Sequence, residues 1–324
     1  MDYVFIDPAW LCTQVLGSLL APKDFKPGNL ANATNSTKRQ ITKEEFQSHL
    51  QLDEVRRNQS ELILELLVHM ELCWADASSG QCTYTFPGFI DQVFDRDTHW
   101  AMSPGAESYD VFMGRTFRCS EKTDLLAPGF VARLAVFTRK SQRECGAVKV
   151  WKDCFLVERE KNAVQCLVSL DEDSTGVEVR ARTTKAHVQN CLHLIEEIQR
   201  GMSQIIRASC PNIFLSIAIL SISDLRQYKW PTHAYPLELV IKASSEHSTL
   251  AHPITNVEES PLDLLYCGNE ECRKTHSGLS TRIAYLPQEL VDRLEELLCS
   301  EDKESHKVGG WGDRYTSQPS RPLV

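Results

Sequence analysis

Long apolar runs are missing from this 324-residue sequence. The longest, "IFLSIAILSI" at 213–222, is about half of the roughly 20 residues a helix needs to cross a bilayer. Positive charge is also short: 35 Lys and Arg stand against 44 Asp and Glu, leaving a net charge of −9. A main partner made of nucleic acid calls for a basic surface, so that class is set aside. Residues 1–20 carry neither a basic leader nor a small-residue cleavage site, which predicts a cytoplasmic chain. The commonest catalytic signatures are absent as well. There is no Gly-x-x-x-x-Gly-Lys-Ser/Thr phosphate cradle, no His-Arg-Asp or Asp-Phe-Gly pair, no Gly-x-Ser-x-Gly elbow, no His-Glu-x-x-His and no Gly-x-Gly-x-x-Gly. The expectation is a chain without catalysis or a cofactor of its own.

Cysteine is plentiful, with twelve residues scattered through patterns such as "VQCLVSL" and "NCLHLI". Flanked by Leu, Val and Phe, they read as reduced, buried small hydrophobes. One cluster has ligand-like spacing: Cys267, Cys272 and His276 in "CGNEECRKTH". A structural zinc takes four ligands and no second pair stands nearby, so a turn at a strand end competes with a metal site. An enzyme or metal-binding protein built on these three residues is the alternative function.

Periodicity predicts an α+β chain. Asp7-Pro8 caps a first helix carrying Trp10 and Leu11, and residues 23–40 read as a loop. Thr42 and Glu45 form a capping box. "SELILELLVHMELCW", 60–74, reads as one helix that is apolar on nearly every side. "CTYTFPGFI" and "YDVFMGRTFRC" read as strands. Together these suggest a winged-helix-like first subdomain over 1–120. Its candidate recognition helix is too acidic and too apolar for a DNA groove; residues 1–120 hold ten Lys and Arg against sixteen Asp and Glu.

The second half predicts an α/β subdomain over 121–300 with an antiparallel or mixed sheet. "LLAPGFVARLAVFTRK" reads as a helix, and "GAVKVWKDCFLVE", "NAVQCLVSLDE" and "GVEVRART" as strands at hairpin spacing. A long helix from Thr184 to Ala208 repeats Val188, Cys191, Ile195, Ile198, Met202 and Ile205 at spacings of three and four. That seam either packs on the three strands or contributes Val188, Ile195 and Met202 to a dimer. "NIFLSIAILS" and "PLDLLYC" read as strands and 286–299 as an amphipathic helix. Residues 301–324 form a polar tail, read as disordered.

The order of these stretches resembles the COR (C-terminal of Roc) domain of Roco proteins. "FIDPAWLCTQVLGSLLAP" is similar to the opening of that domain, and "ITKEEFQSHL", "LILELLVHMELCWADASSG" and "FPGFI" follow in the order of its first subdomain. "LLAPGFVARLAVF" resembles the helix that opens the second. "VKVWKDCFLV", "GVEVRAR", "LSISDLRQY" and "LLYCGNEEC" look most like the COR region of death-associated protein kinases. The resemblance covers about residues 3–300 and implies a non-catalytic interaction and dimerisation module that couples to a Roc GTPase domain, in cis or in trans. It also implies a likeness to a fragment of a longer signalling chain, in which any kinase or GTPase activity would belong to other residues. Trp10 and Leu11 are then either interface anchors or intramolecular core.

Overall fold

The computed structural model describes residues 40–49, 60–76, 82–90, 92–101, 108–120, 126, 129–141, 146–171, 175–209 and 213–266. Within them the chain is α+β, and every strand pair is antiparallel.

The first elements are β1 (Gln40–Thr42), α1 (Lys43–His49), α2 (Ser60–His69), β2 (Trp74–Asp76) and β3 (Thr83–Thr85). They form a three-stranded sheet in the order β1-β3-β2. The capping box closes in both directions: Glu45 N–H donates to Thr42 Oγ1 at 3.2 Å and Thr42 N–H to Glu45 Oε2 at 2.8 Å. Phe46, Ile63, Leu64, Leu67 and Phe86 fill a small core beneath that sheet. The helix expected over 60–74 stops at His69. Glu71 turns left-handed at φ 61°, and Trp74 begins β2 instead.

The larger unit is a seven-stranded sheet in the order β10-β9-β4-β8-β7-β6-β5. Its strands are β4 (Val111–Cys119), β5 (Gly146–Val150), β6 (Cys154–Arg159), β7 (Val164–Leu170), β8 (Gly176–Thr183), β9 (Leu215–Leu220) and β10 (Ala234–Pro236). β4 was expected in the first subdomain, but it lies between β9 and β8. β4 is therefore a strand of the seven-stranded sheet, paired on both sides with strands of the second half. Sequence proximity misled because β4 finds its partners about 70 and 100 residues away, Val111 opposite Thr183 and Arg115 opposite Ile219.

Side chains alternate across each strand. Val177, Val179 and Ala181 of β8 enter the main core together with Val164, Cys166 and Val168 of β7. Two helices cover that face, α3 (Phe130–Ser141) and α4 (Val188–Ser209). They cross closely at Gly201, where a Cβ would meet Phe137 Cε1 at 2.7 Å and Leu134 Cδ1 at 3.1 Å. Each buried Val, Leu or Ile on this interface contributes about 1.5–3 kcal/mol.

The last described elements are α5 (Ile222–Arg226), β10, α6 (Leu237–Ser245), the hairpin β11 (Leu250–Ala251) and β12 (Glu258–Glu259), and α7 (Pro261–Tyr266). Within the stretch "PLDLLYC", expected as a strand, Pro261–Tyr266 is thus a helix. Pro261 suits a first helical position, and six residues are too few for periodicity to separate the two states.

The β6–β7 hairpin turns through Glu160, Lys161 and Asn162 with φ of 49°, 52° and 75°. L-residues there cost about 1–2 kcal/mol each. Lys161 is exposed, so Lys161→Gly is expected to stabilise the chain by about 0.5–1 kcal/mol after the entropy of glycine is counted. A lower midpoint in urea denaturation would contradict that.

Candidate functional site

α2 buries Ser60, Ile63, Leu64 and Leu67. Its opposite face was expected to be buried too, and it is not. Leu62 is 49% exposed and Met70 41%, with half-buried Leu66 between them. Spaced by four, the three side chains stack into one stripe. Met70 N–H still donates to Leu66 O at 2.8 Å, so the helical path continues to the end of the stripe. Exposed Glu61 and Glu65 flank it. Glu61 pairs with Lys43 at 2.9 Å.

The other side of this region is held by basic residues of α3. Arg133 pairs with Glu71 at 3.1 Å, Arg139 with Asp76 at 2.7 Å, and Lys140 Nζ donates to Val68 O at 2.8 Å. Lys140 thus holds α2 itself, while the two ion pairs tie the turn after it and β2 to α3, and Leu62 and Met70 stay exposed.

The seam on α4 points the other way. Val188, Ile195 and Met202 are 4%, 1% and 1% exposed and belong to the main core. The chain itself encloses them, so they present no surface to a second copy. Arg115 of β4 reaches the same helix and donates to Gln199 Oε1 at 2.8 Å. Trp10 and Leu11 lie outside the described residues.

The far face of the seven-stranded sheet holds a polar network that the sequence pattern did not reveal. Arg182 is fully buried. Its Nε and Nη2 donate to Gln165 Oε1 at 2.8 and 2.6 Å, and its Nη1 to Trp100 O at 2.8 Å. Gln165 Nε2 donates onward to Glu158 Oε1 at 3.0 Å, and Glu158 pairs with Lys149 at 2.8 Å. The Arg182 guanidinium also lies 4.0 Å from the Trp100 ring centroid. Beside it, Arg180 forks onto Glu178 Oε2 at 2.9 and 2.7 Å and rests 3.3 Å from the Trp230 ring. Burial disfavours the charge of both arginines, opposed by Glu178 at Arg180 and by Tyr228 and Tyr109 at Arg182. These groups partner one another across the strands, so the network braces the sheet.

A second buried cluster joins α5, β10 and the β11–β12 hairpin. Asp224 Oδ2 accepts from His252 Nε2 at 3.0 Å and from the His233 N–H at 3.0 Å. Lys229 Nζ lies 3.1 Å from Asp224 Oδ1, close enough for charge pairing though off the hydrogen-bond direction. Burial raises the Asp224 carboxyl, but the His233 amide, His252 and Lys229 outweigh it and hold it below the usual range. Glu259 Oε1 accepts from Ser221 Oγ at 3.0 Å and from the Ser223 N–H at 2.7 Å.

Thiol chemistry finds little support among the described cysteines. Burial pushes the Cys73 thiol up to about 12 and raises Cys154 and Cys166 as well, which suppresses the nucleophilic thiolate. Among the described residues, no group of three or more His, Cys, Asp or Glu is placed to hold a metal. Cys267, Cys272 and His276 lie outside those residues. No described helix is long and apolar enough to cross a membrane. No protein-family model matches the chain.

Proposed function

We propose that this chain is a non-catalytic interaction module of the COR type, in a cytoplasmic signalling protein, that docks a Roc-type GTPase domain in cis or in trans and pairs with a second copy of itself. The observation that carries the reading is the stripe Leu62–Leu66–Met70, an apolar surface on a helix that Lys140 of α3 holds through Val68 O. The order β1-α1-α2-β2-β3, with β3 in the middle of its sheet, supports a winged-helix-like first subdomain. α2 then takes the position of a recognition helix, but Glu61 and Glu65 beside the stripe repel phosphate and favour a protein partner. The seven-stranded sheet with two helices on one face supports a separate second subdomain. Self-association would use a surface of that unit other than the enclosed α4 seam.

Sedimentation velocity of the chain mixed with a Roc-type GTPase domain tests the proposal. A faster boundary containing both proteins at tens of micromolar is the expected result. Two independent boundaries from two well-folded proteins would overturn it.

A further inference from the structure

The large sheet has two edges, β10 and β5. β10 is blunt: it is three residues long and ends at Pro236, which has no N–H to offer. β5 is the open edge. Among the described residues only β6 pairs with it. The ladder decides which of its backbone groups are left over. Trp151 N–H donates to Cys154 O at 2.8 Å, and bonded pairs recur at every second residue, so Lys149 and Ala147 bond to β6. The N–H and C=O groups of Gly146, Val148 and Val150 point away from the sheet. Gly146 O accepts from Arg139 Nη1 at 2.7 Å, and a carbonyl oxygen has a second lone pair for another donor.

We propose that β5 is the surface through which two copies of this chain pair, antiparallel and centred on Val148, so that two seven-stranded sheets become one. The surface serves the self-association proposed above and rests on that reading. With Val148 opposite the partner's Val148, the two exchange both N–H···O bonds. Gly146 then faces the partner's Val150, and Lys149 faces the partner's Ala147.

Charge favours this register. Ala147 lies opposite Glu158 of β6, so Lys149 comes into line with the partner's Glu158 across one methyl group. Two strand spacings are about 9.6 Å, within the combined reach of a lysine and a glutamate side chain. Each Glu158 then stands between two ammonium groups, its own Lys149 at 2.8 Å and the partner's Lys149. A lysine on an edge ordinarily keeps other strands away. Here its charge is already matched, and its side chain is 54% exposed. On the opposite face half-buried Val148 packs on the main core and gains the partner's Val148 as a neighbour. An unrelated strand would find the backbone groups but not the reciprocal match of Lys149 and Glu158. So short an edge makes a small contact, for which a dissociation constant of about 20 micromolar is expected.

Hydrogen exchange of the intact chain, resolved to single amides, is run beside sedimentation equilibrium at about 2 and about 200 micromolar. Free monomer falls about fourfold as a fraction between the two, so the Val148 amide is expected to exchange about fourfold more slowly at the higher concentration. The amides of Ala147 and Lys149, already bonded to β6, should change far less. A dimer whose Val148 amide exchanges alike at both concentrations would overturn β5 as the surface and leave self-association standing. A monomer at both concentrations would overturn the two together. Val148→Pro removes an N–H that the β6 ladder does not use, and is expected to weaken the dimer about tenfold. Wild-type dimerisation by the folded variant would also overturn the proposal; should the variant not fold, the wild-type exchange decides.

Discussion

Arg182→Ala is expected to lower the stability of the chain by about 3–5 kcal/mol, the range for stripping one member from a buried charged network. The residue links four strands. Lys149 on β5, Glu158 on β6, Gln165 on β7 and Arg182 on β8 form one line across the sheet, and the register places Glu158 opposite Gln165 and Gln165 opposite Arg182. Removing the guanidinium takes a donor from Gln165 Oε1 and from Trp100 O and leaves a void under Trp100. Arg182→Lys should recover only part of the loss, because an ammonium cannot fork onto one amide oxygen while donating to a carbonyl. For a domain of this size, roughly 10 °C of melting temperature is at stake in the alanine variant. Circular dichroism melts measure it, and a loss under about 1 kcal/mol would show that the network does not brace the sheet.

The second large effect concerns binding. Leu62→Asp combined with Met70→Asp is expected to weaken association with a Roc-type GTPase domain at least about 100-fold. Two buried apolar side chains at a contact are worth about 1.5–3 kcal/mol each, and each tenfold in affinity is 1.4 kcal/mol. Both residues are solvent-exposed in the free chain, so its own stability should shift by no more than about 0.5 kcal/mol. Calorimetric titration checks the first figure and urea denaturation the second. Wild-type affinity in the double variant would remove α2 from the docking surface.

Local signals in the sequence were the reliable ones. Thr42 and Glu45 form their capping box because both partners lie within one turn. The strands in "NAVQCLVSLDE" and "GVEVRART" follow from alternation and short turns, and α4 from its repeat of three and four, whereas "GAVKVWKDCFLVE", read as one strand, turns back on itself as the hairpin β5–β6. Signals set by distant partners were illegible. The alternation in "GVEVRART" places Glu178, Arg180 and Arg182 on one face, which in isolation reads as a solvated one. Trp100 and Trp230, far away in sequence, cover that face and convert it to interior. Likewise β4 could not be placed without knowing that β8 and β9 flank it. Residues 221–266 fold into elements of two to nine residues, mostly shorter than any window in which a period can be read. The Asp224–His252 pair is therefore invisible until the chain is folded. The stripe on α2 was hidden for a different reason: with Leu, Ile and Val on nearly every side, nothing in "ELILELLVHM" says which face stays outside.

Side-chain oxidative footprinting of the wild-type chain, with and without a Roc-type GTPase domain, tests the docking role of α2 most directly. Met70 is 41% exposed, and its thioether is readily oxidised. On complex formation, its oxidation rate and that of Leu62 are predicted to fall severalfold, while Val93 and Ile254, exposed on other parts of the fold, keep theirs. A complex that forms with Met70 and Leu62 as reactive as in the free chain would contradict the assignment of this helix as the docking surface.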